Sequence, residues 1–308
     1  MNETVRSTSE RIRRLEVQGA RNVAIAAIKA LQTLAEQTKA KNKTEFLAEL
    51  KEAQSVFFAS RETEPLMRNA IHWIISQTEN SSTKKVDTLS QMVIANGSEF
   101  LKNLEASREY IAEIGAKRIR DGSTVFTHCH SSTVTRLLAR AKADGKNFNV
   151  ICTETRPAFQ GRITAKEMVE LDIKTEFIVD SATRSFMGNV DIVIVGADAI
   201  TSEGNVVNKI GTSSIAVLAN EASKPFFVVS ELLKFDPETL YGEYEKIEQR
   251  NPAEIWSEAP EKLVIKNPAF DVTPSNYIHG FICEEGVIAP QSIVETVHRR
   301  YPWVLKRT

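Results

Sequence analysis

The chain has 308 residues, 42 % hydrophobic and 26 % charged, which is ordinary for a globular protein of one or two domains. A net charge of −1 and a pI near 6.6 provide no general field to attract nucleic acid or a membrane. The N-terminus MNETVRSTSE lacks an apolar core, and no apolar run approaches the roughly 18 residues that span a bilayer. Three cysteines lie far apart without a CxxC pair, so we expect a cytoplasmic protein without disulfides, membrane contact or direct nucleic-acid binding.

Residues 7 to about 120 have the periodicity of helices throughout. Apolar residues recur three and four positions apart, and the only proline, Pro65, stands where a helix can begin. The last helix of this half carries a possible disturbance at Asn96-Gly97. The predicted helices are 23–37, 43–60, 64–77 and 87–119.

From Asp121-Gly122 onward, short β-branched runs alternate with helical segments such as 133–143 and 211–222. Continuous apolar strands that alternate with helices predict a parallel sheet covered on both faces. We therefore predict an α/β protein, with a helical N-terminal domain at 1–120 and a Rossmann-like domain at 121–308. The predicted strands are 124–130, 148–154, 175–180, 191–198, 224–230 and 280–286.

Ligands of open parallel sheets bind beyond the carboxyl ends of the strands. The first predicted strand leads into His128, Cys129 and His130, followed by three hydroxyl residues that open a helix. Hydroxyls and free amides at a helix start form an anion site, although Ser131 could simply cap the helix. The hydroxyl residues are Ser131, Ser132 and Thr133.

Polar and basic residues also follow the other strands. They are Arg156 and Gln160 in TETRPAFQG, Asp198 in GADAI, Asn208 and Lys209 in NVVNKIGTSS, and Lys234 in SELLKF. Taken alone, Arg156 is equally consistent with a solvated or salt-bridged loop arginine. Asp198 is consistent with a base, a ligand of a ribose hydroxyl or a structural cap. The dinucleotide pattern GxGxxG and the Walker A pattern are absent, so the combination favours a sugar phosphate over a nucleotide.

Cys129 has three interpretations. Shared metal binding with its histidine neighbours is disfavoured, because adjacent side chains of a strand point to opposite faces. Inert packing is common for cysteine and suits Cys152 and Cys283, which lie within apolar strands. The third is acid–base catalysis of an aldose–ketose isomerisation with Asp198, for which we expect the helix start and nearby cations to lower the pKa of Cys129.

The motifs THCHSST, TETRPAFQG, GADAI and NKIGT, in this order, resemble one superfamily over nearly the whole chain. It comprises archaeal ribose-1,5-bisphosphate isomerases, methylthioribose-1-phosphate isomerases and the alpha, beta and delta subunits of translation initiation factor 2B. The resemblance implies a catalytic pair, Cys129 as proton acceptor and Asp198 as proton donor. It also implies conversion of ribose 1,5-bisphosphate to ribulose 1,5-bisphosphate in AMP breakdown, without cofactor or metal.

The resemblance further implies a homodimer or hexamer and a helical domain that closes the site and contributes Arg61. Its substrate-binding positions match Gly19 with its neighbours, Arg61, the hydroxyl residues 131–133, the pair 208–209 and Lys234. One departure is QGARN, where isomerases of this type read RGAG, so that Gln18 replaces an arginine. Arg21 lies one helical turn away and could compensate. The neighbours of Gly19 at these substrate-binding positions are Gln18, Ala20 and Arg21.

Two alternatives remain at this point. QGARN resembles the translation-factor subunits, which favours a non-catalytic regulatory subunit that binds initiation factor 2. A dinucleotide-dependent oxidoreductase is the weaker alternative, since the glycine fingerprint is missing.

Overall fold

The computed structural model describes residues 2–61 and 63–305. The chain forms two compact units, one that runs to Ala106 and resumes at Arg300, and one that spans Ser107–Arg299. Helix α5 runs through the division between them. The domain limits of 1–120 and 121–308 stay a prediction. No helix within the described ranges has both the length and the apolarity to cross a membrane.

The first unit is helical, as the periodicity predicted. Its helices are α1 (Glu3–Arg13), α2 (Ala20–Gln37), α3 (Lys43–Ser60), α4 (Pro65–Glu79) and α5 (Val86–Ala116). The side chains of Asn2 and Asn42 cap α1 and α3 by accepting from backbone amides. The expected disturbance in α5 is wrong: the helix continues through Gly97, where a Cβ would lie 3.0 Å from Gln32.

The second unit contains a seven-stranded sheet in the order β10-β9-β7-β4-β1-β2-β3. All neighbouring pairs are parallel except β9 and β10. The six parallel strands follow the Rossmann order, which confirms the predicted fold class. The strands are β1 (Thr124–Thr127), β2 (Asn149–Thr153), β3 (Lys174–Ile178), β4 (Ile192–Val195), β7 (Phe226–Val229), β9 (Gly280–Cys283) and β10 (Gly286–Ile288).

The helices of this unit are α6 (Ser132–Ala143), α7 (Gly161–Glu170), α8 (Thr183–Met187), α9 (Thr212–Glu221) and α10 (Ile293–Arg300). Buried side chains of the central strands, such as Val125, Val150 and Ile194, pack in one core with Leu137 and Leu138 of α6. Burying such side chains contributes about 1.5–3 kcal/mol each. The continuous apolar character of these strands therefore reflects burial of both faces of the sheet.

A second, three-stranded antiparallel sheet was not predicted. It consists of β5 (Ala199–Ile200), β6 (Val206–Lys209) and β8 (Phe270–Thr273), in that order across the sheet. β5 is only two residues long and β8 lies more than 60 residues beyond β6. Neither feature leaves a local pattern that sequence periodicity can detect. This small sheet carries Asn208 and Lys209 on β6.

Candidate active site

The first and fourth strands of the large sheet are neighbours, and the strand order reverses between them. β1 pairs in parallel with β4, so both carboxyl ends meet at the same edge. Residues 128–130 follow β1, and residues 196–198 follow β4. This reversal is where open α/β sheets bind ligands. The topology thus brings Cys129 and Asp198 to one crevice.

Cys129 is not in a strand, contrary to the prediction that the first strand extends to residue 130. β1 ends at Thr127, and Cys129 has φ 67° in the left-handed region, which non-glycine residues rarely adopt. Its amide donates to Thr155 Oγ1 at 3.0 Å, and its carbonyl accepts from Thr164 Oγ1 at 2.8 Å. Alternation along a strand therefore does not determine where this thiol points.

His128 is held on both sides of its ring. Nε2 lies 2.9 Å from the carbonyl of Ile210, which can only accept, so Nε2 carries the proton. Nδ1 lies 2.6 Å from Thr153 Oγ1 and accepts from that hydroxyl. Burial lowers the pKa of His128, although the carbonyl of Ile210 and the charge of Asp180 oppose this. The imidazole is neutral and has no nitrogen left for a metal.

The pKa of Cys129 is raised, which overturns the expectation of a lowered value. Burial raises it from 9.0 to about 11, and the charges of Asp198 and Asp180 act in the same direction. The ammonium of Lys209 and the His130 amide, which donates to the sulfur, lower it only in part. In the free protein this thiol therefore carries its proton at neutral pH.

Lys209, at the end of β6, and Asp198, directly before β5, both act electrostatically on that thiol. The amide of Asp198 donates to the carbonyl of Val207 at 2.9 Å, which ties the end of β4 to β6. Lys209 is 9 % exposed, and its Nζ lies 5.1 Å from the ring centroid of Phe270. The charges of Lys209 and Asp198 both influence the pKa of Cys129, as does the carboxylate of Asp180, so a cation and two carboxylates lie near the thiol.

The neighbouring Asn208 is 6 % exposed and donates from Nδ2 to Thr212 Oγ1 at 3.0 Å. Thr212 in turn donates to the Lys209 carbonyl at 2.6 Å. These bonds join the end of β6 to the start of α9. Asn208 therefore helps to position Lys209.

The start of α6 lies against the end of β4. Ser131 caps α6 by accepting from the amide of Val134 at 3.4 Å. A Cβ on Gly196 would lie 2.7 Å from Ser131 Oγ, so this close approach requires glycine. The amides of Ser132 and Thr133 have no partner within the helix, because first-turn donors never do. Ser131 can therefore cap α6 while the amides of Ser132 and Thr133 bind an anion.

Lys234 has a structural role that sequence reasoning missed. It is 4 % exposed, and Nζ donates to the carbonyl of Ala197 at 2.9 Å. It also forms an ion pair with the fully buried Glu231, at 3.3 Å. Glu231 accepts from Thr133 Oγ1 at 3.4 Å. The pair thereby ties together the segments that carry Asp198 and the start of α6.

Asp271 was also missed, and it changes the interpretation of the glycine-hydroxyl start of α9. Its carboxylate accepts from the amide of Gly211 at 2.7 Å and from Ser213 at 3.1 Å. Burial raises the pKa of Asp271 to about 6, while these amides lower it. The amides at the start of α9 therefore already bind a carboxylate from β8.

Arg156 and Gln160 lie in the turn between β2 and α7. The guanidinium of Arg156 is exposed and donates to the carbonyl of Ile255 at 3.2 Å. Gln160 precedes α7, and its Oε1 is a buried acceptor without a hydrogen-bond donor. Their roles as substrate ligands stay a prediction.

The remaining predicted ligands belong to the helical unit. Gly19 has φ 82° and is the N-cap residue directly before α2. Arg21 is buried and donates to the Leu104 carbonyl at 2.9 Å and to the Glu105 carboxylate. Arg61 is buried beside Glu64, with Nε 3.5 Å from Oε1. For Gln18, Gly19, Ala20, Arg21 and Arg61, substrate binding stays a prediction.

A sequence model described as the initiation factor 2 subunit family matches residues 16–290. The chain is 40 % identical to ribose 1,5-bisphosphate isomerase of Thermococcus kodakarensis, over 97 % of this chain and 95 % of that protein. Identity to the Archaeoglobus fulgidus protein of the same description is 43 %, over 94 % and 91 %. A Pyrococcus horikoshii OT3 structure described as translation initiation factor eIF-2B superposes with TM-score 0.83 at 30 % identity, covering 94 % of this chain and 98 % of that one.

Proposed function

The chain belongs to the initiation factor 2 subunit family, and we propose that it is a sugar-phosphate isomerase converting ribose 1,5-bisphosphate to ribulose 1,5-bisphosphate. The observation that carries this proposal is the pairing of Cys129 with Asp198 at the reversal of strand order. Identity of about 40 % to isomerases of that description, over almost the whole chain, supports the substrate.

The reaction moves one proton from C2 to C1 of the sugar and another from the C2 hydroxyl to the ring oxygen. It therefore needs a group that serves carbon and a group that serves oxygen. Cys129 suits the first task and Asp198 the second. Neither task needs an oxidant, a reductant or a further co-reactant.

The resting proton on Cys129 determines the order of events. With a pKa of about 11, formation of the thiolate at pH 7 costs about 5 kcal/mol. In the proposed reaction, Asp198 accepts that proton. The transfer leaves Cys129 as the base and Asp198 as the acid, with Lys209 and the His130 amide stabilising the thiolate.

Asp198 then protonates the ring oxygen as the C1–O bond breaks and the ring opens. The Cys129 thiolate removes the proton from C2, so that a C1–C2 double bond forms in an enol intermediate. Cys129 returns its proton to C1, and the C2 hydroxyl gives its proton to Asp198 as the C2 carbonyl forms. Return of a proton from Asp198 to Cys129 restores the resting state, and all protons balance.

A phosphate group fits at the start of α6. The amides of Ser132 and Thr133 and the positive end of the helix dipole favour a dianion there. Lys209 supplies a nearly buried positive charge in the same pocket. We assign Lys234 to holding this pocket together, because its ammonium already binds Ala197 and Glu231.

A second candidate is a regulatory subunit that binds initiation factor 2 without catalysis. One observation favours it: Arg21, which could have replaced the charge missing at Gln18, binds Leu104 and Glu105 instead. Loss of one charged hydrogen bond to phosphate costs about 1.5–3 kcal/mol. That weakens substrate binding and leaves the acid–base pair intact, so the isomerase remains the first candidate.

The test is phosphorus NMR of the purified protein with α-ribose 1,5-bisphosphate. We expect the wild type to form ribulose 1,5-bisphosphate, and Cys129→Ser and Asp198→Asn to lose at least about 10²-fold in rate. Matched controls are Cys283→Ser, in a strand away from the crevice, and Asp191→Asn, at the opposite end of β4 from Asp198. A wild type that binds the sugar without converting it would make the regulatory subunit the better proposal. Unchanged activity of Cys129→Ser would refute the mechanism.

A further inference from the structure

The backbone of Cys129 is held by two threonine hydroxyls from different elements. Thr155, directly after β2, accepts from the Cys129 amide at 3.0 Å. Thr164, on α7, donates to the Cys129 carbonyl at 2.8 Å. Both threonines are buried, at 0 % and 1 % exposure. Every polar group of the Cys129 backbone thus has a partner outside its own segment.

The two hydroxyls are themselves held in place. The amide of Thr155 donates to Asp180 Oδ1 at 2.9 Å, and that of Arg156 donates to Asp180 Oδ2 at 2.7 Å. Thr164 Oγ1 lies 3.2 Å from His130 Nδ1. Because Thr164 gives its proton to the carbonyl of Cys129, it accepts from His130 on the other side. A fixed network therefore surrounds the cysteine.

The network is needed because Cys129 adopts an unfavourable conformation. A φ of 67° costs a non-glycine residue of this kind on the order of one hydrogen bond's free energy. Without external partners, the segment 128–130 would relax towards an extended backbone. That relaxation would carry Sγ away from the His130 amide that donates to it.

We propose that Thr155 and Thr164 are positioning residues for Cys129, which hold its backbone in the left-handed conformation that directs the thiol into the crevice. The proposal rests on the proposed function, since positioning matters for catalysis only if Cys129 takes part in it. The sequence motifs alone do not single out these two threonines. Thr155 and Thr164 themselves touch neither phosphate nor sugar in this assignment.

The test removes each hydroxyl with little change of shape, in Thr155→Val and Thr164→Val. We expect kcat to fall by roughly tenfold or more in each, as for the loss of one buried hydrogen bond. KM should stay within about twofold, because the start of α6 and Lys209 are unaffected. Thr164→Ser keeps the hydroxyl and should restore kcat. Thr296→Val is the control, since the buried hydroxyl of Thr296 on α10 donates to the carbonyl of Ser292, directly before that helix.

A second measurement does not depend on turnover. Alkylation of Cys129 by iodoacetamide, followed by peptide mapping, reports the pH midpoint of the thiol. Its charged and titratable neighbours are Lys209, Asp198, Asp180, His128 and His130, and all five are retained in the valine variants. We expect the midpoint to rise in both variants, because a relaxed backbone removes the donor at the sulfur. Thr296→Val should leave it unchanged.

The outcomes separate the two proposals. An active wild type with unchanged kcat in both valine variants would overturn the positioning role, as would an equal loss in Thr296→Val. If the wild type does not isomerise the sugar, the proposed function fails and the alkylation midpoint alone decides: an unmoved midpoint rejects the positioning role. Should Thr164→Val not fold, Thr164→Ala removes the same hydroxyl without adding a methyl group in its place.

Discussion

Two of the charges near Cys129, those of Asp198 and Lys209, should change its reactivity in opposite directions. Asp198 raises the pKa of the thiol and Lys209 lowers it. We therefore predict that Asp198→Asn makes Cys129 react faster with iodoacetamide and that Lys209→Met makes it react more slowly. Asp198→Asn would then combine a more reactive thiol with a loss of isomerase activity, which simple damage to the site would not produce.

The magnitude follows from the pKa of about 11, compared with 9.0 for an unperturbed thiol. At pH 7 the thiolate fraction is about hundredfold lower than for an exposed cysteine. The higher intrinsic nucleophilicity of a more basic thiolate offsets about tenfold of this, so that alkylation is about tenfold slower. Removal of one neighbouring charge shifts the pKa by about one unit, which after the same offset changes the rate about threefold.

The assay measures alkylation of the Cys129 peptide between pH 6 and pH 10. For the wild type the logarithm of the rate should rise with unit slope across this whole range, whereas an exposed cysteine levels off near pH 9. Asp191→Asn is the matched control, because it makes the same substitution at the other end of β4. A slower reaction in Asp198→Asn, or a plateau below pH 9 in the wild type, would refute the reasoning.

Three further predictions test the surroundings of the pocket. Gly196→Ala places a Cβ 2.7 Å from Ser131 Oγ, so we expect loss of about 1 kcal/mol of capping energy and a raised KM in the isomerase assay. Lys234→Met removes the 3.3 Å ion pair with the buried Glu231, which should lower the free energy of unfolding by about 3–5 kcal/mol in urea denaturation. Asp271 has a folded pKa of about 6, above the value of 3.8 for an ordinary carboxyl. Its proton therefore stabilises the fold fully below pH 4, and this contribution, about 3 kcal/mol, is lost as the pH rises through 6. The free energy of unfolding of the Asp271→Asn variant should not show this decrease as the pH rises through 6.

Each of these predictions has a result that contradicts it. A Gly196→Ala protein with wild-type KM would mean that Ser131 does not contribute to substrate binding at the crevice. Equal stability of Lys234→Met and wild type would show that Glu231 is not stabilised by this lysine. If the stability difference between Asp271→Asn and wild type is the same at pH 4 and pH 7, then Asp271 does not titrate near pH 6.

Several features followed from local sequence alone. Helices α2 to α5 were predictable from apolar residues three and four positions apart, because a helix buries one face at that spacing. Helix α1 (Glu3–Arg13) is not among the predicted helices. The six parallel strands of the large sheet were predictable from short β-branched runs, although the first was expected to reach residue 130 and ends at Thr127. That Cys129 and Asp198 each follow a strand was also predictable from the order of segments along the chain. These properties depend on neighbours within a few residues.

Other features depend on residues that are distant in sequence. Asp271 reaches the start of α9 only because β8 pairs with β6, and Thr155 and Thr164 meet Cys129 only because β1 and β2 are adjacent. Such pairings join segments tens of residues apart, and periodicity carries no information about them. The same limit explains why the three-stranded sheet was missed.

The pKa of Cys129 shows most directly what tertiary structure decides. Sequence reveals a thiol near cations and a helix start, and those neighbours alone predict a lowered pKa. Cys129 is half-buried in the folded chain, and desolvation of its thiol outweighs Lys209 and the His130 amide, so that the pKa rises to about 11. The sequence by itself therefore determined which groups meet at the ends of the strands. Only the tertiary structure decided how deeply they are buried, and thereby which of them holds the proton.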